Sequence, residues 1–157
     1  MELWDVYDAD RRRTGRVIER GNGFGQEAYH LIVHVCIFNA AGEMLIQRRA
    51  PDKAYLPGLW DVSAGGSAVA GEDSWQAAER EVREELGLTV PLRGVHPHFS
   101  VNYANGFDDF YAVLAEPKPE EIRFVDGEVT MRGLIWSVVP AETSSSVATS
   151  VPMTRTW

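Results

Sequence analysis

Short apolar runs broken by Gly, Pro, Asn and Asp recur along this chain and read as strands, with one segment of helical period among them. Residues 2–7 and 16–20 flank a polar stretch over 8–15, the pattern of an N-terminal hairpin whose solvated tip carries Arg11, Arg12 and Arg13. Residues 30–39 and 44–48 are rich in Val, Ile and Leu and are joined by Asn39-Ala40-Ala41-Gly42, which predicts two core strands. A proline-bounded loop over 51–58 delivers Trp60-Asp61-Val62. Residues 95–103 and 107–115 form the clearest hairpin, turning through Asn105-Gly106. Pro117 and Pro119 break the chain again, and 134–138 gives a last strand.

The helical segment opens at Asp73, three residues before Gln76 in a capping-box pattern, and stops at Gly87, which implies about three turns. At roughly 100° per residue, Trp75, Ala78, Val82 and Leu86 fall on one apolar face, and Glu81, Glu84 and Glu85 share a neighbouring stripe. Strands around one clear helix predict an α/β fold, a mixed sheet with helices packed on it. Like charges four apart on a helix cost about 0.2–0.5 kcal/mol per pair, and a bound cation removes that penalty. Carboxylate oxygens are the hard ligands Mg²⁺ prefers, together with substrate phosphate and water. A solvated helix face explains an isolated E-x-x-E-E equally well. Here Gly66, Glu72 and Arg80 also stand in register, with Arg80 four residues before Glu84 and Glu72 near enough to orient the guanidinium.

From Gly66 to Leu88 the order is a glycine, five residues, Glu72, seven residues, then Arg80-Glu81-Val82-Arg83-Glu84-Glu85-Leu86-Gly87-Leu88. This resembles the complete signature of the Nudix hydrolases. The resemblance implies an α/β/α sandwich with a mixed sheet and, with the initial hairpin, a single domain over 1–157. It also implies Mg²⁺ or Mn²⁺ held by Glu81, Glu84 and Glu85, with the Gly65 carbonyl joining them. Gly66, Glu72 and Arg80 would support the loop and helix, and a metal-activated water would attack a diphosphate in a small nucleoside-diphosphate-type substrate. Glu81 or Glu84 is the expected base. Carboxylates outside the signature also stand as candidates: Asp108, Asp109, Glu120, Glu121 and Glu128.

Residues 37–60 and the hairpin further resemble isopentenyl-diphosphate isomerases, a branch of the same superfamily. Their catalytic cysteine has no counterpart in Asp61-Val62-Ser63-Ala64-Gly65-Gly66, although His30 sits where they carry a metal-binding histidine. An isomerase-like enzyme and an inactive diphosphate-binding module are therefore the alternatives to a hydrolase. Cys36 is the only cysteine, which excludes an internal disulfide, and an alternating apolar strand predicts that it faces the core. With 157 residues, 45% hydrophobic, the chain is about one domain. The absence of a long apolar run or leader predicts a cytoplasmic protein without membrane contact. A net charge of −8 disfavours grip on long nucleic acids and leaves small phosphorylated substrates bridged by metal. A homodimer is left open. The Ser/Thr-rich residues 140–157 predict a mobile or loosely docked tail.

Overall fold

Period-two alternation along residues 30–38 places Leu31, Val33, Val35 and Ile37 on one side of a strand, all buried, and this strand is the axis of the molecule. The computed structural model describes residues 2–23, 25, 27–52, 56–123 and 135–137. Glu128, one of the candidate carboxylates outside the signature, and the tail over 140–157 lie outside the described residues.

Strands β1 (Leu3–Tyr7) and β2 (Arg13–Glu19) form the N-terminal antiparallel hairpin. The main sheet contains β3 (His30–Phe38), β4 (Met44–Arg48), β5 (Trp60–Asp61), β6 (Ala64–Ser67), β7 (Phe99–Tyr103), β8 (Gly106–Leu114) and β9 (Ile135–Ser137). Its order is β5-β4-β3-β8-β7, with β6 also beside β3 and β9 beside β4. The β3–β8 pair is parallel and the remaining pairs antiparallel, so the sheet is mixed, as expected. On one edge of β3, β6 pairs with residues 32–35 and β4 meets the end at Phe38. Ser63 fills the fork. Its hydroxyl accepts the Ile37 amide at 2.8 Å and donates to the Leu45 carbonyl at 2.5 Å, satisfying backbone groups that the diverging strands leave unpaired.

Helix α1 (Ser74–Leu86) lies against the odd-numbered face of β3. The Asp73 amide donates to Gln76 at 2.8 Å at the start, and Gly87, at φ 67°, closes the end by donating to the Arg83 carbonyl. A side chain at Gly87 would also press into Arg123, whose backbone lies 2.9 Å from the Cβ position. Ala77, Ala78, Val82 and Leu86 meet Leu31, Val33, Val35, Ile37, Phe107 and Tyr111 in the core. Among the described residues no helix is long and apolar enough to cross a membrane.

Two expectations change. The late hairpin begins at Phe99 rather than at 95, because residues 92–95 form a turn and Pro97 cannot donate to a ladder. Cys36 belongs to the even-numbered positions of β3, so it faces away from the helix-side core. Its thiol is pushed up to about 11 by burial, with Asp61 adding to the effect.

Candidate active site

Packing the apolar stripe of α1 on the sheet fixes where its acidic stripe lies. Glu81 and Glu85 become buried at the rim of the helix–sheet contact, and Glu84, on the outer side, keeps 53% of its side chain exposed. Arg80 ties this ridge to the loop before the helix. Its Nε donates to Glu72 Oε1 at 2.9 Å, and Nη2 donates to Glu72 Oε2 at 3.1 Å and to the Ser67 carbonyl at 2.9 Å. Nη1 bridges Glu81 at 2.8 Å and Glu84 at 2.9 Å. Burial works against the Arg80 charge, but the Glu72 hydrogen bonds and the Glu81 carboxylate more than reverse it, raising its pKa above the ordinary value. Glu72 also accepts the Val69 amide at 3.1 Å, so one ion pair holds both ends of the loop.

The glycine pair before that loop leaves space for the ridge. A Cβ at Gly66 would run into the Glu81 carboxylate, and the Gly65 amide donates to Glu85 Oε2 at 3.2 Å. Gln47 on β4 donates to the same oxygen at 2.8 Å, while its own Oε1 is buried with no hydrogen-bond partner. Sequence reasoning passed over Gln47. Alternation offered the signal, since Gln47 follows buried Leu45 at an inward position where a polar residue is out of place.

The N-terminal hairpin braces the start of α1. Arg13 donates to the Glu72 carbonyl and pairs with Asp73 at 3.0 Å, and Asp5 accepts the Gly71 amide at 2.8 Å. Arg11 reaches both oxygens of Asp109 at 2.8 Å. The arginines at 11 and 13 are therefore fastenings rather than a solvated tip. An open cavity of about 370 Å³ lies here, between Tyr7, Arg11, Arg13, Asp73, Ser74 and Phe107, with its cations already neutralised.

The two aspartates of β8 part company. Asp109, on the helix side, accepts hydrogen bonds from Arg11, Ser74 and Ser100. Asp108 faces the other way with Oδ2 3.5 Å from His34 Nε2. Glu120 and Glu121 sit on an exposed 3-10 turn, Pro119–Glu121, where Glu121 accepts the Lys118 amide. Arg48 and Arg49 are engaged by the Gly58 carbonyl and by Asp61. His30 stacks on Trp4 at 5.0 Å and contacts the Asn105 carbonyl, a packed structural setting.

The family model for the NUDIX domain matches residues 28–137. The chain belongs to the Nudix family. An uncharacterized Nudix hydrolase of Listeria monocytogenes is 43% identical over 129 residues, covering 82% of this chain and 76% of that protein. An isopentenyl-diphosphate Delta-isomerase of Halorhodospira halophila is 39% identical over 116 residues, covering 74% of this chain and 63% of that enzyme. In fold, the crystal structure of DR0079 from Deinococcus radiodurans superposes with a TM-score of 0.74 at 24% identity, covering 94% of this chain and 90% of that one.

The Nudix ridge suits a divalent cation in its chemistry. It offers carboxylate oxygens, and the orphaned Gln47 Oε1 sits on the side chain that grips Glu85. Among the described residues no three His, Cys, Asp or Glu side chains already converge on one point. Arg80 occupies the bridging place between Glu81 and Glu84. Glu84 is half exposed, so turning it toward an ion costs little desolvation.

Proposed function

We propose that this Nudix enzyme hydrolyses the diphosphate bond of a small nucleoside-diphosphate-type substrate with Mg²⁺ or Mn²⁺. The observation that carries the reading is the ridge of Glu81, Glu84 and Glu85, facing two glycines and anchored by the Arg80–Glu72 pair. These carboxylates, with the Gly65 carbonyl, would hold the ion. When bound, it lowers the pKa of a water and neutralises phosphate oxygens. Gln47 and the Gly65 amide orient Glu85. Glu72 keeps Arg80 beside the ridge, and Gly66 keeps Glu81 against β6. Glu84, the accessible member, is the favoured base, with Glu81 the other candidate in the box. Outside the box, Asp109 has its oxygens taken by Arg11, Ser74 and Ser100, and Asp108 lies on the sheet face away from the ridge, which favours a base within the box. A cytoplasmic, single-domain enzyme fits this reading.

The test is a phosphate-release screen of purified protein against nucleoside diphosphates, nucleoside triphosphates, nucleotide sugars and isoprenoid diphosphates. Release that appears with Mg²⁺ or Mn²⁺ and stops with chelator supports the reading; undiminished turnover in excess chelator refutes it.

The 39% identity to an isomerase favours one second reading, isomerisation of isopentenyl diphosphate. The residues against it are Ser63, Ala64 and Gly65, which present no thiol beside the ridge. Deuterium uptake from heavy water into isopentenyl diphosphate, surviving Cys36→Ala, would bring that reading forward.

A further inference from the structure

On the sheet face opposite α1, His34 and Asp108 form a buried polar pair that nothing in the hydrolytic machinery uses. β3 and β8 run parallel, with Phe110 opposite His34 and Asp108 opposite Ile32, so both side chains point to this face. Asp108 is 9% exposed, and its Oδ1 and the Nε2 of His34 are both buried without a hydrogen-bond partner. Their mutual approach, Nε2 to Oδ2, is 3.5 Å, too long to satisfy either. Leaving two such groups unsatisfied is costly, and a core position of this kind would ordinarily be apolar. The pair also stands at the inner end of an aromatic column. His34 stacks on Phe110 at 4.5 Å and 17°, and Phe110 stacks on Phe99 at 4.5 Å and 11°. Phe99 is 56% exposed, which leaves the outer end of the column open, and Val101, exposed beside it, lies opposite Asp108 across β7.

Gly65 joins this face to the acidic ridge. A Cβ on it would come within 3.1 Å of His34 Nδ1, and its amide donates to Glu85 at 3.2 Å. Gly65 thus stands between Glu85 of the ridge and His34, with no side chain to separate them.

We propose that His34, Asp108 and the Phe99–Phe110 column bind the base of a nucleotide substrate, and that the buried Asp108 carboxylate selects a base carrying an exocyclic amine. The inference rests on the proposed hydrolysis only for the position of the diphosphate. A planar ring that also reaches Asp108 extends the stack at its His34 end, on the side where Gly65 carries no side chain, regardless of the ring's identity. Discrimination comes from the carboxylate, which only accepts hydrogen bonds and so matches the amine of cytosine, adenine or guanine while repelling a carbonyl oxygen at the same place. The His34 Nε2 supplies the second contact, to a ring nitrogen or carbonyl beside the amine. A hydrogen bond to a charged group that one base makes and its analogue cannot make separates the two by about 10–100-fold.

The experiment compares pairs differing at the amine, CMP with UMP and GMP with IMP, by calorimetric titration of the full chain, alongside hydrolysis of the corresponding diphosphates. The wild-type protein is expected to bind the amine-bearing member about 10–100-fold more tightly. Asp108→Asn, which turns half of the acceptor into a donor, should erase or invert that preference. Phe99→Ala, at an exposed position that the fold tolerates, should weaken all four nucleotides together. Equal affinity within each pair, or a preference unchanged by Asp108→Asn, overturns the proposal even if the diphosphates are hydrolysed. Selective binding of mononucleotides without any hydrolysis keeps the proposal and discards the hydrolase reading instead.

Discussion

Asp108 and Asp109 are neighbours on β8, and the sheet turns them into different devices. Asp109 faces the helix side, is 1% exposed, and is held by Arg11 together with Ser74 at the start of α1 and Ser100 on β7. Asp108 faces the opposite side and keeps an oxygen with no partner. The same residue type is a rivet on one face and an unsaturated acceptor on the other. Burial alone does not separate structural carboxylates from those available to a ligand; the count of donors around each one does.

The contrast between the faces breaks first if the chemistry is not on the helix side. Glu84→Gln and Glu85→Gln are each expected to lower turnover by orders of magnitude while the far-ultraviolet circular dichroism stays native, since each removes charge without volume. Wild-type rates in both variants would leave the ridge without a catalytic role.

Next in size is the rivet. Arg11 is 36% exposed and Asp109 almost wholly buried, so Arg11→Met strands a buried carboxylate while the reverse change leaves a cation that water can reach. Arg11→Met should cost about 3 kcal/mol in urea unfolding, the low end for a broken buried pair because both serines still donate. Asp109→Asn added to it should recover part of that loss. Asp108→Asn should move stability far less, and an equal loss would erase the contrast.

Gly66→Ala drives a methyl group into Glu81 and is expected to cost about 1–3 kcal/mol, as overpacking does. Turnover should fall with it, because the displaced carboxylate belongs to the ridge. A thermal melt and a rate measurement on the same sample check both.

The smallest effect belongs to Cys36 on the face away from the helix. Its thiol is raised from 9.0 to about 11, so it stays protonated through neutral pH. Its contribution to stability is complete below pH about 9 and fades as the pH climbs through about 11. Alkylation of the folded protein should accelerate only toward that upper limit, and rapid labelling at pH 8 would contradict the environment described.

Where a residue's role follows from local spacing, the sequence was sufficient to read it. The capping of α1 by Asp73 and Gln76, its stop at Gly87, the burial of Val82 and Leu86, and the Glu72–Arg80 pairing all follow from helical period and short-range registry. Contacts between distant segments were not legible. Three arginines after Asp10 look like any charged turn until the hairpin folds back onto β8 and Asp109. Cys36 was assigned to the core because either face of a nearly all-apolar strand satisfies the pattern. His34 and Gln47 carried a detectable signal as polar residues within apolar strands, but their partners, Asp108 and Glu85, lie 74 and 38 positions away in sequence, beyond any local period.

The reading proposed for α1 is a carboxylate ridge that works through a divalent ion on a diphosphate. It is tested by stripping the protein with chelator, titrating Mn²⁺ back by calorimetry, and following hydrolysis of the best substrate from the screen in the same samples. Activity is expected to be absent in the stripped protein and to rise along the same curve as ion binding, with both lost together in Glu85→Gln. Hydrolysis by the stripped protein at the full rate, or ion binding undiminished in Glu85→Gln, would contradict it.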